Sequence, residues 1–374
     1  MLIRQALLQV QRLKTVTRRN NQDGVALLML LTILLLGVST ALVTKITPND
    51  RRNERPLSNA SVLDLVRQSL VGYSLLQTVG GVLPCPDTDG DGFSDPQGLG
   101  CDDQLGLVPH RTLDLDNLSD STGAPLWYAV SLDLLSNAPT TKNSSTGSSL
   151  TLDGTPVAAV VIAPGVALDG QSRSVISADA YLEGINADAN RDDYDTQVGA
   201  TQNDQVLALR RETLWSMVES RANNTALALM QSYRASCGEY PWAATFGDAA
   251  NSVASQQTGA LPLGTALPFD WGAACGLSFA PAVDVWLAAH WQDQMFYSMC
   301  TTAQGSCLTA LNSTVASGSL IVTSPGIEFA GQARPGGLSE YFEDENADSD
   351  QTEFVYRDVF DHDQNFNDTV LVGP

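Results

Sequence analysis

The strongest constraint on this chain is that much of it is written twice. Residues 163–173 (APGVALDGQSR) and 324–334 (SPGIEFAGQAR) both read P-G-x-x-x-x-G-Q-x-R, at an offset of 161 residues. Each follows a β-branched apolar run, 157–162 and 320–323. Each leads to an aromatic, an apolar residue and a Glu, then Asn-Ala-Asp: Tyr181 to Glu183 with Asn186 to Asp188, and Tyr341 to Glu343 with Asn346 to Asp348. Each ends in Asn-Asp before an apolar strand, at Asn203-Asp204 and Asn367-Asp368. Helical segments 70–84 and 229–241 also correspond, with Tyr73 matching Tyr233. Such self-similarity predicts two copies of one supersecondary unit, 57–212 and 213–374. Their short apolar runs, divided by Gly, Pro, Asn and Asp, predict a helix followed by a mainly antiparallel sheet in each. Arg173 and Arg334 are expected to pair with Glu183 and Glu343 and close each sheet. The Ser/Thr/Asn-rich stretch 136–149 is expected to be an exposed loop.

The 374 residues suit two domains of ordinary size, and 43% hydrophobic content is enough to fill real cores. With 20 Lys+Arg against 42 Asp+Glu the charge is −22. That balance excludes a nucleic-acid partner, since little would neutralise a run of phosphates. Five of the basic groups (Arg4, Arg12, Lys14, Arg18, Arg19) lie in the first 24 residues. An uncharged apolar run of 19 residues follows, Val25 to Val43. As a helix it would be roughly 28 Å long, close to the hydrocarbon thickness of a bilayer. A secretory signal cut near Ala41, a plain anchor, and a leader cut after Gly24 with the apolar run retained are the three readings. Pro48 would kink the continuing helix. Beyond it Val62, Leu65, Val66, Leu70, Tyr73 and Leu76 form an apolar stripe, with Ser58 or Ser61 as its cap and Gly80-Gly81 as its end.

The junction QDG/VALL at Gly24 and Val25 resembles the processing site of type IV prepilins. The segments LPCPD (83–87), GLVPHRTL (106–113) and WYAV (127–130) resemble a bacterial prepilin-type family over roughly residues 20–210. The resemblance implies an α+β fold: a long N-terminal pilin-like helix with a membrane-spanning first half, and a duplicated helix-plus-antiparallel-sheet head. It divides the chain into a leader (1–24), the transmembrane part of the helix with its kink (25–56) and the two repeats. It implies cleavage by prepilin peptidase, an inner-membrane single pass with a periplasmic head before assembly into a filament, and other pilin-like subunits as partners. Major pilins carry a Glu where this chain has Met29. Its loss resembles the tip pseudopilin of type II secretion and some minor pilins, where no subunit above would need its charge. The implied function is a minor pilin or pseudopilin of a type IV pilus or type II secretion filament. The alternative is a secreted or anchored adhesin or carbohydrate-binding protein.

One loop carries a metal-binding pattern. Asp87, Asp89, Asp91 and Asp95 stand at positions 1, 3, 5 and 9, with Gly92 at position 6, the D-x-D-x-D-G spacing of Ca²⁺ loops. Position 12 is Gly98, so Asp102 or Asp103 would complete the shell. Weaker candidates are Asp188, Asn190 and Asp192, and Asp361, Asp363, Asn365 and Asp368. Both lack the central Gly, and turn chemistry explains their Asx content as well.

Six cysteines in an exported chain predict disulfides. Proximity favours Cys85–Cys101 around the acidic loop, Cys300–Cys307, and Cys237–Cys275 by default. No catalytic fingerprint is present among the motifs with known mechanics, and no enzymatic activity is expected. His290, between Trp286 and Trp291, reads as a packed residue. Trp271, Trp286, Trp291, Phe296 and Tyr297 are expected to build the second core, with a sugar-binding face as the alternative.

Overall fold

The computed structural model describes residues 48–374 apart from 137, 139, 189, 247, 263–280, 313–314, 349–351 and 358–364. Two compact units are distinguished, Met1–Ser58 and Asn59–Pro374, and both sheets lie in the second. Cleavage residues Gly24 and Val25, the apolar run, Trp271, Cys275, Asp361 and Asp363 lie outside the described residues.

The first described helix, α1 (Pro48–Leu76), carries Asp50, Arg51, Arg52, Glu54, Arg55, Asp64 and Arg67. Pro48 stands as its first described residue, where a missing N–H costs nothing when it opens a helix. The helix runs uninterrupted through Ser58 and Ser61, so neither caps it, and it ends at Leu76, before Gly80. Leu63, Val66 and Leu70 form its buried face, whereas Leu76 is 86% exposed.

Two antiparallel sheets follow. In the first, β3 (Leu105–Leu107), β4 (Trp127–Val130), β6 (Thr155–Ala163) and β8 (Gln205–Arg210) lie side by side in that order. β1 (Pro96–Gln97) and β2 (Gly100–Cys101) form a separate hairpin. β5 (Thr151–Leu152) pairs with the end of β6 and, in parallel, with β7 (Asp193–Tyr194). A four-residue helix, α2 (Ala178–Tyr181), lies in the long β6–β8 connection.

The second sheet has six strands: β10 (Asp248–Ser252), β9 (Ala244–Thr245), β11 (Thr258–Ala260), β12 (Phe296–Met299), β15 (Leu320–Ser324) and β17 (Thr369–Gly373). Beside it β13 (Leu308–Leu311) pairs with β14 (Val315–Gly318) and, in parallel, with β16 (Glu353–Val355). Registers correspond between the halves. Ile162 faces Trp127 and Val206, and its counterpart Thr323 faces Phe296 and Val370. The parallel pair Thr151–Asp193 recurs as Thr309–Glu353.

Alternation along the strands gives each sheet two buried faces. Tyr128, Val130, Val161 and Leu209 face the helices, while Trp127, Val160 and Ile162 face a layer of loops. The helix face is one core for both repeats. α3 (Arg211–Cys237) supplies Leu214, Trp215, Val218, Ala222, Ala226 and Met230 to it. It packs on β15 and β17 and also on β6 and β8. Gly238 closes it in the left-handed conformation at φ +86°, with its N–H on the Arg234 carbonyl, as a helix C-terminus requires. α4 (Pro281–His290) adds Trp286 and Leu287 to the same core.

Two expectations are corrected here. The predicted α+β chain with a long pilin-like helix spanning a membrane in its first half is not what the structure presents. The body is predominantly sheet, and among the described residues no helix is long and apolar enough to cross a membrane. The same finding overturns the predicted single-pass inner-membrane placement.

The 136–149 stretch is also not an exposed loop. Lys142, Ser144 and Thr146 are buried, and the segment acts as a strap between the repeats. Lys142 N–H donates to His290 Nδ1 at 3.1 Å, and Asn143 Nδ2 donates to the His290 carbonyl at 2.7 Å. Lys142 Nζ reaches the carbonyls of Asp133 and Thr140. Burial and the Lys142 charge lower the His290 pKa, so the imidazole that accepts this bond is favoured in its neutral form.

Candidate functional site

The acidic loop is held from three sides. The Cys85–Cys101 bridge ties its ends, with Cα atoms 5.4 Å apart. Asp87 forms a two-way backbone bridge with Leu107, at 3.0 and 2.7 Å. The backbones approach so closely that a Cβ on Gly106 would come within 2.6 Å of the Asp87 carbonyl oxygen. From below, Arg111 N–H donates to the Gly92 carbonyl at 2.9 Å and Thr112 Oγ1 accepts from Ser94 N–H at 2.9 Å. His110 lies against Gly92, which sits at φ +89°. The GLVPHRTL segment is thus the floor of the loop. Gly106→Ala is expected to displace Asp87 and lower cation affinity while the sheet stays folded, as checked by metal titration beside circular dichroism.

Inside the loop, backbone amides organise the acids. Asp87 is buried; its Oδ1 accepts from Gly90 N–H at 2.7 Å and its Oδ2 from Gly92 N–H at 2.8 Å. Asp89 Oδ1 accepts from Asp91 N–H, and Asp95 Oδ2 accepts from both the N–H and the hydroxyl of Thr88. Ligand oxygens of Asp87, Asp89 and Asp95 all lie within 4.8 Å of one another. Burial, and then the charges of Asp95 and Asp89, raise the Asp87 pKa against the lowering effect of its two amide bonds. A hard, multiply charged cation would reverse that repulsion, and a set made only of oxygens suits Ca²⁺. Among the described residues no Lys or Arg forms an ion pair with these three carboxylates.

The remaining predicted ligands are placed differently. Asp91 is exposed, caps Phe93 N–H at 2.7 Å and is not one of the three clustered acids. Asp102 accepts from the Thr88 hydroxyl at 3.2 Å and from Gln97. Asp103 bonds Leu105 N–H and lies 3.8 Å from Arg191. Within the turn of Asp188, Asn190 and Asp192, Asn190 donates to Asp192 and Arg191 donates to the Asp188 carbonyl, while Thr151 N–H donates to the Asp192 carbonyl. Asn365 is exposed. Asp368 is fully buried, and its Oδ2 accepts from Glu343 N–H and Asn346 Nδ2.

The repeated motif builds the same box twice. Arg173 does not pair with Glu183. It donates to the carbonyls of Gly165, Pro164 and Tyr181 and lies 5.0 Å over the Tyr181 ring. Arg334 repeats this with Gly326, Pro325 and Tyr341, at 5.2 Å over the ring. A planar fork of donors is well matched to converging carbonyls. Glu183 instead accepts from Gln171 Nε2 at 2.7 Å and Asn203 N–H at 3.0 Å, and Glu343 from Gln332 Nε2 at 2.8 Å and Asn367 N–H at 3.2 Å. The aspartates complete the box. Asp204 Oδ2 accepts from Glu183 N–H and Asn186 Nδ2, and Asp368 Oδ2 from Glu343 N–H and Asn346 Nδ2. Repetition marks the Gln, Glu and Asn-Asp positions in the sequence, but only the fold connects them.

Other pairings carry no sequence signal. Tyr128 and Tyr297, both buried, donate their hydroxyls to the Pro84 and Pro241 carbonyls at the exit of each repeat's helix. Glu219 on α3 is buried between Ser144 of the strap and Gly326 of the second box. Burial pushes its pKa up to about 7, opposed only in part by the nearby Arg334 charge. A carboxyl raised in this way stabilises the fold fully below its unfolded value and loses that contribution as pH rises through 7. Glu219→Gln is therefore expected to be near neutral at pH 5 and to raise stability by on the order of 1–3 kcal/mol at pH 8, read from urea unfolding.

The bridges are Cys85–Cys101 and Cys300–Cys307. Cys237 is also disulfide-bonded, and its expected partner Cys275 is outside the described residues. Trp286, Trp291, Phe296 and Tyr297 are all buried, so they form core and present no sugar-binding face. Comparison with known proteins returns no matching family, no matching curated protein and no matching solved structure.

Proposed function

We propose that the chain is a structural subunit of a type IV pilin-like assembly, a minor pilin or tip pseudopilin, presenting a head stabilised by calcium and disulfides. The observation that carries this reading is how the family-like segments are used. LPCPD, GLVPHRTL and the Cys85–Cys101 bridge together close one rigid acidic loop, and the duplicated polar residues are spent on holding loops to the sheets. Its partners are other pilin-like subunits, met through the N-terminal segment after prepilin peptidase cuts behind Gly24. Amino-terminal sequencing of the mature protein should begin at Val25. A start near Leu42 would sink the assembly reading and favour a secreted binder.

Calcium is tested separately. Ca²⁺ should raise the thermal midpoint of the wild type and leave Asp87→Ala unmoved. Equal calcium affinity in the two would remove the metal from this account.

An adhesin is the second reading. A cavity of ≈ 290 Å³ beside the loop, lined by Thr88, Asp102, Asp103, Trp127, Ser177 and Arg191, favours it. Calcium-dependent retention on a glycan surface would distinguish it from a purely structural head.

A further inference from the structure

We propose that Glu183 and Asp204 form a buried acid pair holding one shared proton, and that this proton clamps the two ends of the 164–204 connection to the first sheet. Both residues are more than nine-tenths buried, at 7% and 1% exposure. Every oxygen of the pair but one is met by a donor: Glu183 Oε1 by Gln171, Glu183 Oε2 by Asn203 N–H, and Asp204 Oδ2 by Glu183 N–H and Asn186. Asp204 Oδ1 has no donor among the described groups, yet the two carboxyls are within hydrogen-bonding reach of each other. Two carboxylates so placed in a low dielectric cannot both be ionised without strong repulsion. One proton turns the contact into a short O–H···O⁻ bond and supplies the missing donor.

The second repeat offers the independent observation. Asp368 Oδ1 also has no donor, Glu343 and Asp368 are likewise within hydrogen-bonding reach, and the four surrounding donors are the same. A chance gap would not recur at the matching atom of a diverged copy.

The charged groups around the first pair do not neutralise it. Arg173 is committed to three carbonyls and the Tyr181 ring. Asp195, on the segment bonded to Asn186, accepts from Gln202. In the second repeat Arg334, Glu219 and Glu328 lie nearby. Burial first, and then the Glu183 charge, push the Asp204 pKa up to about 7. The clamp is therefore fully made in mild acid and loses its proton as pH rises past neutrality.

The test reads the wild type and Asp204→Asn by difference infrared spectroscopy and by amide exchange. Between about pH 6 and about pH 9 the wild type should lose more neutral-acid carbonyl intensity than Asp204→Asn, which keeps only the Glu219 and second-repeat contributions. After correction for intrinsic rates, the Glu183 and Asn203 amides should exchange about tenfold faster in the wild type at the higher pH. Asp204→Asn should show no such change, since its amide donates in place of the proton. Should that variant not fold, Glu183→Gln takes its place with the same expectation. Protection at Glu183 and Asn203 that is equal at both pH values in the wild type overturns the proposal. So does a stoichiometric metal ion in the chelator-treated wild type that Asp204→Asn loses.

Discussion

Trp215→Ala should lower the unfolding free energy of the 59–374 unit by about 3–5 kcal/mol, the range for deleting a fully buried indole. Its ring is completely shielded and meets Trp291 edge-on at 6.2 Å, which in turn meets Trp286 at 6.3 Å. Gly81, at φ +93°, passes so close that a Cβ there would lie 2.4 Å from the indole. Gly81 has no side chain of its own to move into the gap. Beside this cluster, Arg221 stacks at 4.4 Å over Trp286 and donates to the Leu75 and Gln77 carbonyls at the end of α1. The indole thus joins the first repeat's helix exit to the second repeat's aromatic core. Urea unfolding followed by near-ultraviolet circular dichroism measures the loss. A cost below about 1 kcal/mol would mean that the two halves are not packed through this residue.

Removing the Cys85–Cys101 bridge by paired serine substitution should cost about 3 kcal/mol, as expected for closing a loop with a sequence separation of 16. The effect should depend on calcium. The bridge and a cation restrict the same segment, so each makes the other's ordering cost smaller, and the bridge-free protein should bind Ca²⁺ more weakly. Stability of the wild type, Asp87→Ala, the bridge-free protein and the combination, with and without Ca²⁺, forms a double-mutant cycle. Additive losses would mean that bridge and ion act on separate parts of the chain.

What the residues disclosed in advance was mostly what both repeats or a fixed spacing expressed. The P-G-x-x-x-x-G-Q-x-R motif marks a real unit because each copy spends its residues on the same bonds. Its arginine was assigned to the wrong partner because charge suggests a carboxylate, whereas the fold brings three carbonyls into the guanidinium's reach and leaves Glu183 to Gln171 and Asn203. The acidic spacing pointed to Asp87, Asp89 and Asp95, which do converge. Spacing alone could not show that Asp91 turns outward to cap Phe93. The strap at 136–149 was illegible for a different reason. Its composition is that of solvated loops, and it is buried because Lys142 N–H and Asn143 find the His290 imidazole and carbonyl, partners that only the tertiary fold provides, while Lys142 Nζ and Thr146 bond carbonyls close by in the chain. The membrane-spanning expectation rested on residues 25–43, and the described helices contain nothing of that character.

α3 lies under strands of both sheets, and this bears on how such a molecule could be taken apart. Two ready-made beads joined end to end would each keep a private helix. Here the second repeat's helix also packs on β6 and β8 of the first, so neither half buries its apolar face alone. Expressing 57–212 or 213–374 separately should therefore yield sticky fragments that recover solubility only when refolded together.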